Sequence, residues 1–277
     1  MAATVVVGVD GTANGEEALA WAADAAATRG ALLEVVHAVG QPAWGFDVDL
    51  DHAIEQQGKN LVEACADRAE QLVPGLRVRS VLVTDPPRRA LLERSRDAAL
   101  LVVPAGEGAG AWLAYRLAAS ARCPVALVPA RRPSGVRSVV VGVDGSPDGR
   151  AALAFALAEA VRSGARLEVL RAWDAPTVPP AAILPTHGLA DALRESEVVA
   201  LREMLAPFEG AGVPLSRRLV RGRPARALLE AARDAQLLVV GAHGDEGLDG
   251  AALGSVSHEV VLHAPCPVVV AHAGGPV

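Results

Sequence analysis

Short apolar runs alternate along the chain with longer segments in which apolar residues recur every three or four positions. In the second half these runs are "VVVGV", "RLEVLRA", "QLLVVGA" and "CPVVVAHA", bordered by glycine, proline or polar turn residues. Runs of this length indicate buried strands, whereas the segments between them indicate amphipathic helices. Strands that alternate with helices form a parallel sheet covered by helices on both faces. The pattern therefore predicts an α/β fold.

Turn residues around these elements support the helix assignments. Ser146 stands at the N-cap of a helix, Pro147 at its first helical position, and Gly164 where a left-handed C-cap is needed. A further run, "PLSRRLV", alternates polar with apolar residues, which is typical of a strand near the edge of a sheet. Each half of the chain is thus expected to hold five strands.

The chain contains two copies of one pattern. The segment "VVVGVDGTANGEEALAWA" matches "VVVGVDGSPDGRAALAFA", so that Asp10 and Asp144 stand 134 positions apart. Further on, "RALLERSRDAALLVV" matches "RALLEAARDAQLLVV", and "CPVALV" matches "CPVVVA", at separations of 137 and 143 positions. We expect two tandem five-stranded open parallel-sheet α/β sandwich domains, over residues 1–131 and 136–277. Their apolar last strands would be exposed edges, so we expect them to pair antiparallel within the chain.

The two copies differ most in one loop of the second half. The increase in separation from 137 to 143 places six additional residues within "GAHGDEGLDGAALGSVS", after the fourth strand. Asp144 follows the first strand of the same half, and Ala172 stands at the end of the second. Ligands of open parallel sheets bind outside the carboxyl ends of the strands, where the strand order reverses. These three segments therefore predict a ligand crevice.

Composition narrows the classes of protein. The 277 residues are 51% hydrophobic and 21% charged, with a formal net charge of −6 and no long basic run, which argues against nucleic-acid binding. The N-terminus lacks the basic region of a signal peptide, and no apolar stretch is long enough to span a membrane. The three cysteines form no C-x-x-C pair, and Cys123 and Cys266 are expected to be small buried apolar residues. A cytoplasmic location is expected.

The additional loop carries glycines at defined spacing. Gly241 and Gly244 are followed, after nine residues, by Gly254 and Ser255 at the start of a predicted helix. Glycines let backbone amides approach a ligand, and the first amides of a helix lack internal partners, so the segment could bind an anion without a lysine. A flexible loop with Ser255 as an ordinary helix cap is the alternative. Neither a Walker loop nor a dinucleotide fingerprint is present.

These motifs together resemble the universal stress protein family in its tandem two-domain form. The resemblance rests on "VVVGVDGS", "GRPARALLEAA", "QLLVVGAHG" and "LGSVSHEVVLHAPCPVVVA", and it covers nearly the whole chain. It implies a Rossmann-like (HUP-type) nucleotide-binding fold that holds ATP, ADP or AMP. Asp144 would contact the ribose or adenine, Ala172 the adenine, and the glycines with Ser255 the phosphates. The implied nucleotide-binding residues are Asp144, Gly145, Ser146, Ala172, Gly241, Gly244, Gly254, Ser255 and Val256.

Charged residues near the loop bear on this expectation. Asp245, Glu246 and Asp249 would repel a triphosphate unless Mg²⁺ intervenes or they face solvent. Arg223 and His243 are candidate positive partners. No cluster of side chains has the spacing of a protein metal site, and no Ser-His-Asp relay is expected at Ser255.

The first half lacks the phosphate motif. Pro104 takes the position of Gly241, and Trp112 takes that of Ser255. We therefore expect the first half to bind no ATP and to act as a structural partner, or to bind another ligand in a smaller pocket lined by Trp112.

The leading hypothesis is an ATP-binding regulatory module for stress responses, with one nucleotide site in the second half. A slow ATPase that uses the same pocket is an alternative, although no residue is an evident base for an attacking water. A non-nucleotide interaction protein is another. The natural nucleotide, a cyclic one included, and a further homodimer are left open.

Overall fold

The computed structural model describes residues 3–40, 48–106, 108–130, 137–173, 188–208, 210–244 and 252–274. The first half contains β1 (Thr4–Gly8), α1 (Ala13–Arg29), β2 (Leu32–Ala38), α2 (Val48–Leu72), β3 (Val78–Val83), α3 (Pro87–Arg94), β4 (Leu100–Pro104), α4 (Ala109–Ser120) and β5 (Val125–Val128). The second half contains β6 (Ser138–Gly142), α5 (Pro147–Ser163), β7 (Arg166–Trp173), α6 (Leu189–Leu205), β8 (Leu215–Arg221), α7 (Pro224–Ala231), β9 (Leu237–Gly241), α8 (Ser255–His263) and β10 (Val268–Ala271). The predicted α/β alternation is confirmed.

The strands form one ten-stranded sheet in the order β3-β2-β1-β4-β5-β10-β9-β6-β7-β8. Within each half all pairs of neighbouring strands are parallel, and the two halves meet where β5 and β10 run antiparallel. The expected pairing of the last strands within one chain is therefore confirmed. β8 lies at one edge of the sheet, as its alternating pattern predicted.

The two halves are related by a local two-fold axis. Ala126 pairs with Val269 at the centre of the antiparallel ladder, and these two residues stand at matched positions of the repeat. Because they face each other directly, the axis passes between them. Matched residues near the axis, such as Tyr115 and His258, therefore also come together.

Each face of the sheet has its own apolar layer. Successive strand residues point to opposite faces, so Val5 and Val7 pack in one layer while Val6 packs in the other. Alanine, valine and leucine build nearly all of both layers, as a content of 3% aromatic residues requires. The layer that includes Val6 also contains Cys123 and Cys266, and burial raises the pKa of each thiol to about 12. Both cysteines are free thiols, in agreement with their expected role as small buried residues.

Helices α1 and α5 meet on one face of the sheet, and α4 and α8 lie on the opposite face. Arg29 Nη2 lies 2.8 Å from Glu159 Oε1, with side chains that are 6% and 12% exposed. The Arg29 guanidinium also packs over the ring of Phe155. A buried ion pair thus joins the two halves.

Local features that the sequence predicted for α5 are present. Ser146 is the N-cap and accepts a hydrogen bond from the Gly149 amide, and Gly164 ends the helix in the left-handed conformation. In the described part of the chain, no helix combines the length and the apolar character that crossing a membrane requires.

Candidate functional site

A cavity of about 520 Å³ lies at the carboxyl ends of β6, β7 and β9. The chain order reverses here, because β7 lies on one side of β6 and β9 on the other. The cavity is thus where open parallel sheets place their ligand crevices, and its volume suits a small organic molecule. Seven predicted site residues line it: Asp144, Ala172, Gly241, Gly244, Gly254, Ser255 and Val256.

The wall of the cavity changes character from one end to the other. Leu170, Leu228, Val240 and Leu253 provide an apolar surface. The start of α8 and the Asp144 carboxylate provide polar groups. An apolar surface next to backbone amides suits a ligand with a flat apolar part and an anionic part.

The polar end is formed by the first turn of α8. Its first intrahelical hydrogen bond runs from the His258 amide to the Gly254 carbonyl, at 2.8 Å. The amides of Ser255, Val256 and Ser257 precede that bond and have no acceptor in the described part of the chain. Three unpaired amides and the positive end of the helix dipole therefore face the cavity.

Gly254 contributes space and not a donor. Its amide donates to the Ala242 carbonyl at 2.9 Å, so it is already used inside the protein. A Cβ added at Gly254 would meet nothing closer than 3.5 Å, and its backbone is in an extended region that any residue adopts. The Gly254 N–H is therefore not available to a ligand.

Gly241 and Gly244 are required by packing. A Cβ on Gly241 would lie 2.7 Å from the backbone carbon of Asp148, at the start of α5. A Cβ on Gly244 would lie 2.8 Å from Oδ2 of Asp144. The first two glycines of the motif thus let the loop lie directly against the turn between β6 and α5.

Asp144 organises that turn. Its Oδ1 accepts hydrogen bonds from the Ser146 amide at 2.9 Å and from the Ser146 hydroxyl at 2.6 Å. Ser146 is fully buried, and Gly145, at φ +100°, faces Arg171 and Met204 on the other side. Neither Gly145 nor Ser146 lines the cavity, so the structure does not bring these two predicted residues to the ligand space.

His243 fixes both ends of the glycine loop. Its Nδ1 lies 3.0 Å from Oδ2 of Asp148, and its Nε2 lies 2.9 Å from the carbonyl of Ala252. Both partners are acceptors, so only a ring that carries both protons donates to them at the same time. The same Asp148 carboxylate also accepts hydrogen bonds from the amides of His243 and Ala273.

The other charged residues that the sequence analysis named do not contribute to the described wall of the cavity. Arg223 is 80% exposed, lies 3.4 Å from Glu259, and does not line the cavity. Asp245, Glu246 and Asp249 lie outside the described residues. Within the described ranges, no three His, Cys, Asp or Glu side chains are grouped so as to hold a metal ion.

The matched position of the first half is built differently. Helix α4 begins at Ala109, one turn earlier than α8 in the aligned sequences. As a result the Trp112 amide donates to the Gly108 carbonyl at 3.2 Å, whereas its counterpart at Ser255 finds no acceptor in the ranges that the structure describes. The Trp112 side chain is 62% exposed and stacks on Tyr115. That Trp112 lines a smaller pocket of the first half stays a prediction; the additional helical turn distinguishes the two halves.

Three residues at the site were missed by the sequence reasoning. Ser257 lines the cavity, and its hydroxyl donates to the Gly241 carbonyl, which ties α8 to the end of β9. Asp148 binds His243, and Tyr115 comes from the first half. A signal existed only for Ser257, because it stands in the first turn after the glycine motif.

Comparison with known proteins agrees with this geometry. The model of the universal stress protein family matches twice, at residues 1–129 and 135–272. A universal stress protein of Mycobacterium tuberculosis (strain ATCC 25618 / H37Rv) is 36% identical over 292 residues, covering 96% of each chain. Another, of Mycolicibacterium smegmatis, is 32% identical with the same coverage.

Solved structures that match nearly the whole chain share its fold. The crystal structure of a universal stress protein from Archaeoglobus fulgidus has a TM-score of 0.74 at 17% identity and covers 98% of this chain and 96% of its own. A universal stress protein solved in complex with cAMP is 32% identical, covers 50% of this chain and 99% of its own, and has a TM-score of 0.36.

Proposed function

The chain belongs to the universal stress protein family in both halves, and on that premise we propose that its second half binds one adenine nucleotide. The first half binds none. The observation that carries the proposal is the first turn of α8, at the polar end of the cavity, where the amides of Ser255, Val256 and Ser257 have no acceptor among the described residues. Helix N-termini of this kind bind phosphate groups.

Each part of a nucleotide has a suitable surface. The adenine would lie against Leu170, Leu228 and the end of β7 at Ala172, where the cavity wall is apolar. Asp144, whose Oδ1 is held by the Ser146 turn, would accept from a ribose hydroxyl. The phosphates would lie at the start of α8. With Gly254 supplying space and His243 holding the loop, the site binds anions without lysine or arginine in its described lining.

A magnesium ion fits this site only as a companion of the phosphates. Asp144 is the carboxylate in the described lining of the cavity, and the Asp148 carboxylate is already bound by His243 and Ala273. Mg²⁺ is commonly held by one or two carboxylates together with substrate phosphates and water. Because Asp144 is assigned to the ribose, phosphate oxygens and water would hold the ion here, and the ion would neutralise phosphate charge.

The proposed role is regulatory binding in the cytoplasm. Gly244 and Ala252 line the cavity close to the protein surface, so nucleotide binding would change the surface that partners meet. Hydrolysis would need a base for the attacking water, and both ring nitrogens of His243 are already engaged. Phosphate release measured over long incubation separates this role from a slow ATPase.

The sharpest test removes one backbone donor. Ser255→Pro deletes the amide at the first helical position, where proline is tolerated and where α3, α5 and α7 already carry one. Gly254 has the extended backbone that a following proline requires. Ser255→Ala is the matched control, because it removes the hydroxyl and keeps the amide.

Titration calorimetry with ATP, ADP, AMP and cAMP, with and without Mg²⁺, gives the result. We expect one site per chain and an affinity that Ser255→Pro weakens about 10- to 100-fold, as loss of a hydrogen bond to a charged group implies. Ser255→Ala should have a smaller effect. If the wild-type protein binds no adenine nucleotide, the proposal fails and a non-nucleotide interaction protein remains.

A further inference from the structure

Tyr115, on α4 of the first half, contacts the loop of the second half. The Leu253 amide donates a hydrogen bond to the Tyr115 hydroxyl, at 3.3 Å. Leu253 is 8% exposed, lines the cavity, and stands immediately before Gly254 and Ser255. A side chain of one half therefore reaches the segment that leads into the anion-binding turn of the other.

This contact is one of three hydrogen bonds that hold the consecutive residues Ala252, Leu253 and Gly254. The Ala252 carbonyl is bound by His243 Nε2 at 2.9 Å, and the Gly254 amide is bound to the Ala242 carbonyl at 2.9 Å. Both of these partners belong to the second half. The Leu253 amide, between them, is held only by Tyr115 in the described part of the chain. The first half thus completes the fixation of the returning end of the loop.

The Tyr115 ring is itself held in place. It stacks on Trp112 with a centroid distance of 6.0 Å and meets the His258 ring edge-on at 5.1 Å. Because the two aromatic contacts come from the ring, the hydroxyl oxygen is left to accept from Leu253. His258 stands at the matched position across the local two-fold axis, and in the described residues it makes no reciprocal bond to Gly110, the counterpart of Leu253.

We propose that Tyr115 is a positioning residue for the nucleotide site: the first half holds the Leu253–Ser255 segment so that the α8 amides face the phosphates. The inference rests on the proposed function and extends it, because the site then spans both halves of the chain. The role of the first half, which lacks the glycine motif, would then be to hold this segment in position.

Tyr115→Phe in the full-length protein tests this, since it removes the hydroxyl and keeps the ring contacts. Tyr115 is the only tyrosine in the sequence, so Thr28→Val serves as the control. That variant also removes a hydroxyl hydrogen bond in the first half, to the Asp24 carbonyl at 3.0 Å, far from the loop. Amide hydrogen exchange of the nucleotide-free protein and calorimetry with ATP are measured for both variants.

We expect Tyr115→Phe to speed exchange at Leu253 and to weaken ATP binding, each by roughly 2- to 10-fold, which corresponds to one ordinary hydrogen bond. The melting temperature and exchange in β1 should not change, whereas a merely structural defect would alter both. Thr28→Val should change neither exchange at Leu253 nor affinity.

Unchanged exchange at Leu253, or faster exchange with unchanged ATP affinity, would overturn the inference. If the wild-type protein binds no nucleotide, the proposed function fails by itself. In that case the amide exchange rate at Leu253 in Tyr115→Phe is the remaining measurement, and only faster exchange supports a positioning role for Tyr115.

Discussion

The turn after the first strand is nearly identical in the two halves, whereas the loop after the fourth strand is not. Oδ1 of Asp10 accepts from the Thr12 amide at 3.0 Å and from its hydroxyl at 2.6 Å, and Asp144 makes the same two bonds to Ser146. An aspartate here is therefore explained by turn formation alone. The start of the following helix differs: the Ser255 amide has no acceptor in the described part of the chain, but the matched Trp112 amide donates to the Gly108 carbonyl.

The comparison shows that the start of one helix can change in a repeated fold while the sheet stays the same. One additional turn at the start of α4 moves the unpaired amides of the first half by three residues, about 4.5 Å at the usual helical rise. The sheet, the core and the turn after the first strand are the same in both halves despite this change. A binding site can thus be present in one copy and absent from the other while both copies keep the same strand order.

The largest expected effect concerns the ion pair that joins the halves. Glu159→Ala would leave the Arg29 guanidinium buried without its partner; burial already lowers the pKa of Arg29, and Glu159 opposes that shift. Breaking a buried pair from one side costs about 3–5 kcal/mol. We expect a loss of that size in the free energy of unfolding, measured by urea denaturation.

A double substitution provides the control for that prediction. Arg29→Met with Glu159→Leu removes both charges, and the pair is then replaced by apolar packing. It should recover most of the lost stability. If the single and double variants are equally destabilised, the ion pair is not the cause.

The next effect separates the two aspartates. Asp144→Ala and Asp10→Ala remove the same turn hydrogen bonds, so each should lower the free energy of unfolding by about 1 kcal/mol. Only Asp144→Ala should weaken nucleotide binding, by about 10- to 100-fold, because Asp144 lines the cavity. Calorimetry and denaturation of the two variants give both numbers. Equal affinity losses would place a second nucleotide site in the first half.

A smaller effect tests why the loop begins with glycine. Gly241→Ala brings a Cβ to 2.7 Å from the Asp148 backbone and should cost about 1–3 kcal/mol of stability. Gly254→Ala meets nothing closer than 3.5 Å and should cost less than about 0.5 kcal/mol. Thermal denaturation of both variants checks the order. The reverse order would contradict the packing role assigned to Gly241.

The smallest effect is a pH dependence. Burial lowers the pKa of His272, at the end of β10, while Asp148 opposes that shift and His243 adds to it. Its buried Nε2 has no partner in the described part of the chain, so a proton there would be unsatisfied. The folded state binds this proton less readily than the unfolded state, so stability should fall as pH drops below the ordinary histidine value of about 6.5.

His272→Gln should flatten that pH dependence, because glutamine does not titrate. His263→Gln, at an exposed site on α8, is the matched variant for the same exchange of residue types. Urea denaturation between about pH 5 and pH 8 measures the slopes. Parallel slopes for the wild type and His272→Gln would contradict the prediction.

Much of the fold followed from local sequence features. The strand and helix alternation, the Ser146 cap, the Gly164 turn and the edge position of β8 are readable because each depends on a few neighbouring residues. The placement of seven predicted site residues around one cavity also followed, since strand ends in a parallel sheet meet at one edge. The exposed position of Trp112 did not follow, because aligned residues need not share a helix start.

The sequence by itself determined the repeat, the α/β order and the half that carries the longer loop, because periodicity and backbone preference act over short distances. Only the tertiary structure decided that the Gly254 amide is used by Ala242 and that Tyr115 holds Leu253. The first contact closes the glycine loop on itself, and the second joins residues 138 positions apart. The second exists because β5 and β10 pair and bring α4 against the start of α8, and no local pattern encodes that distance.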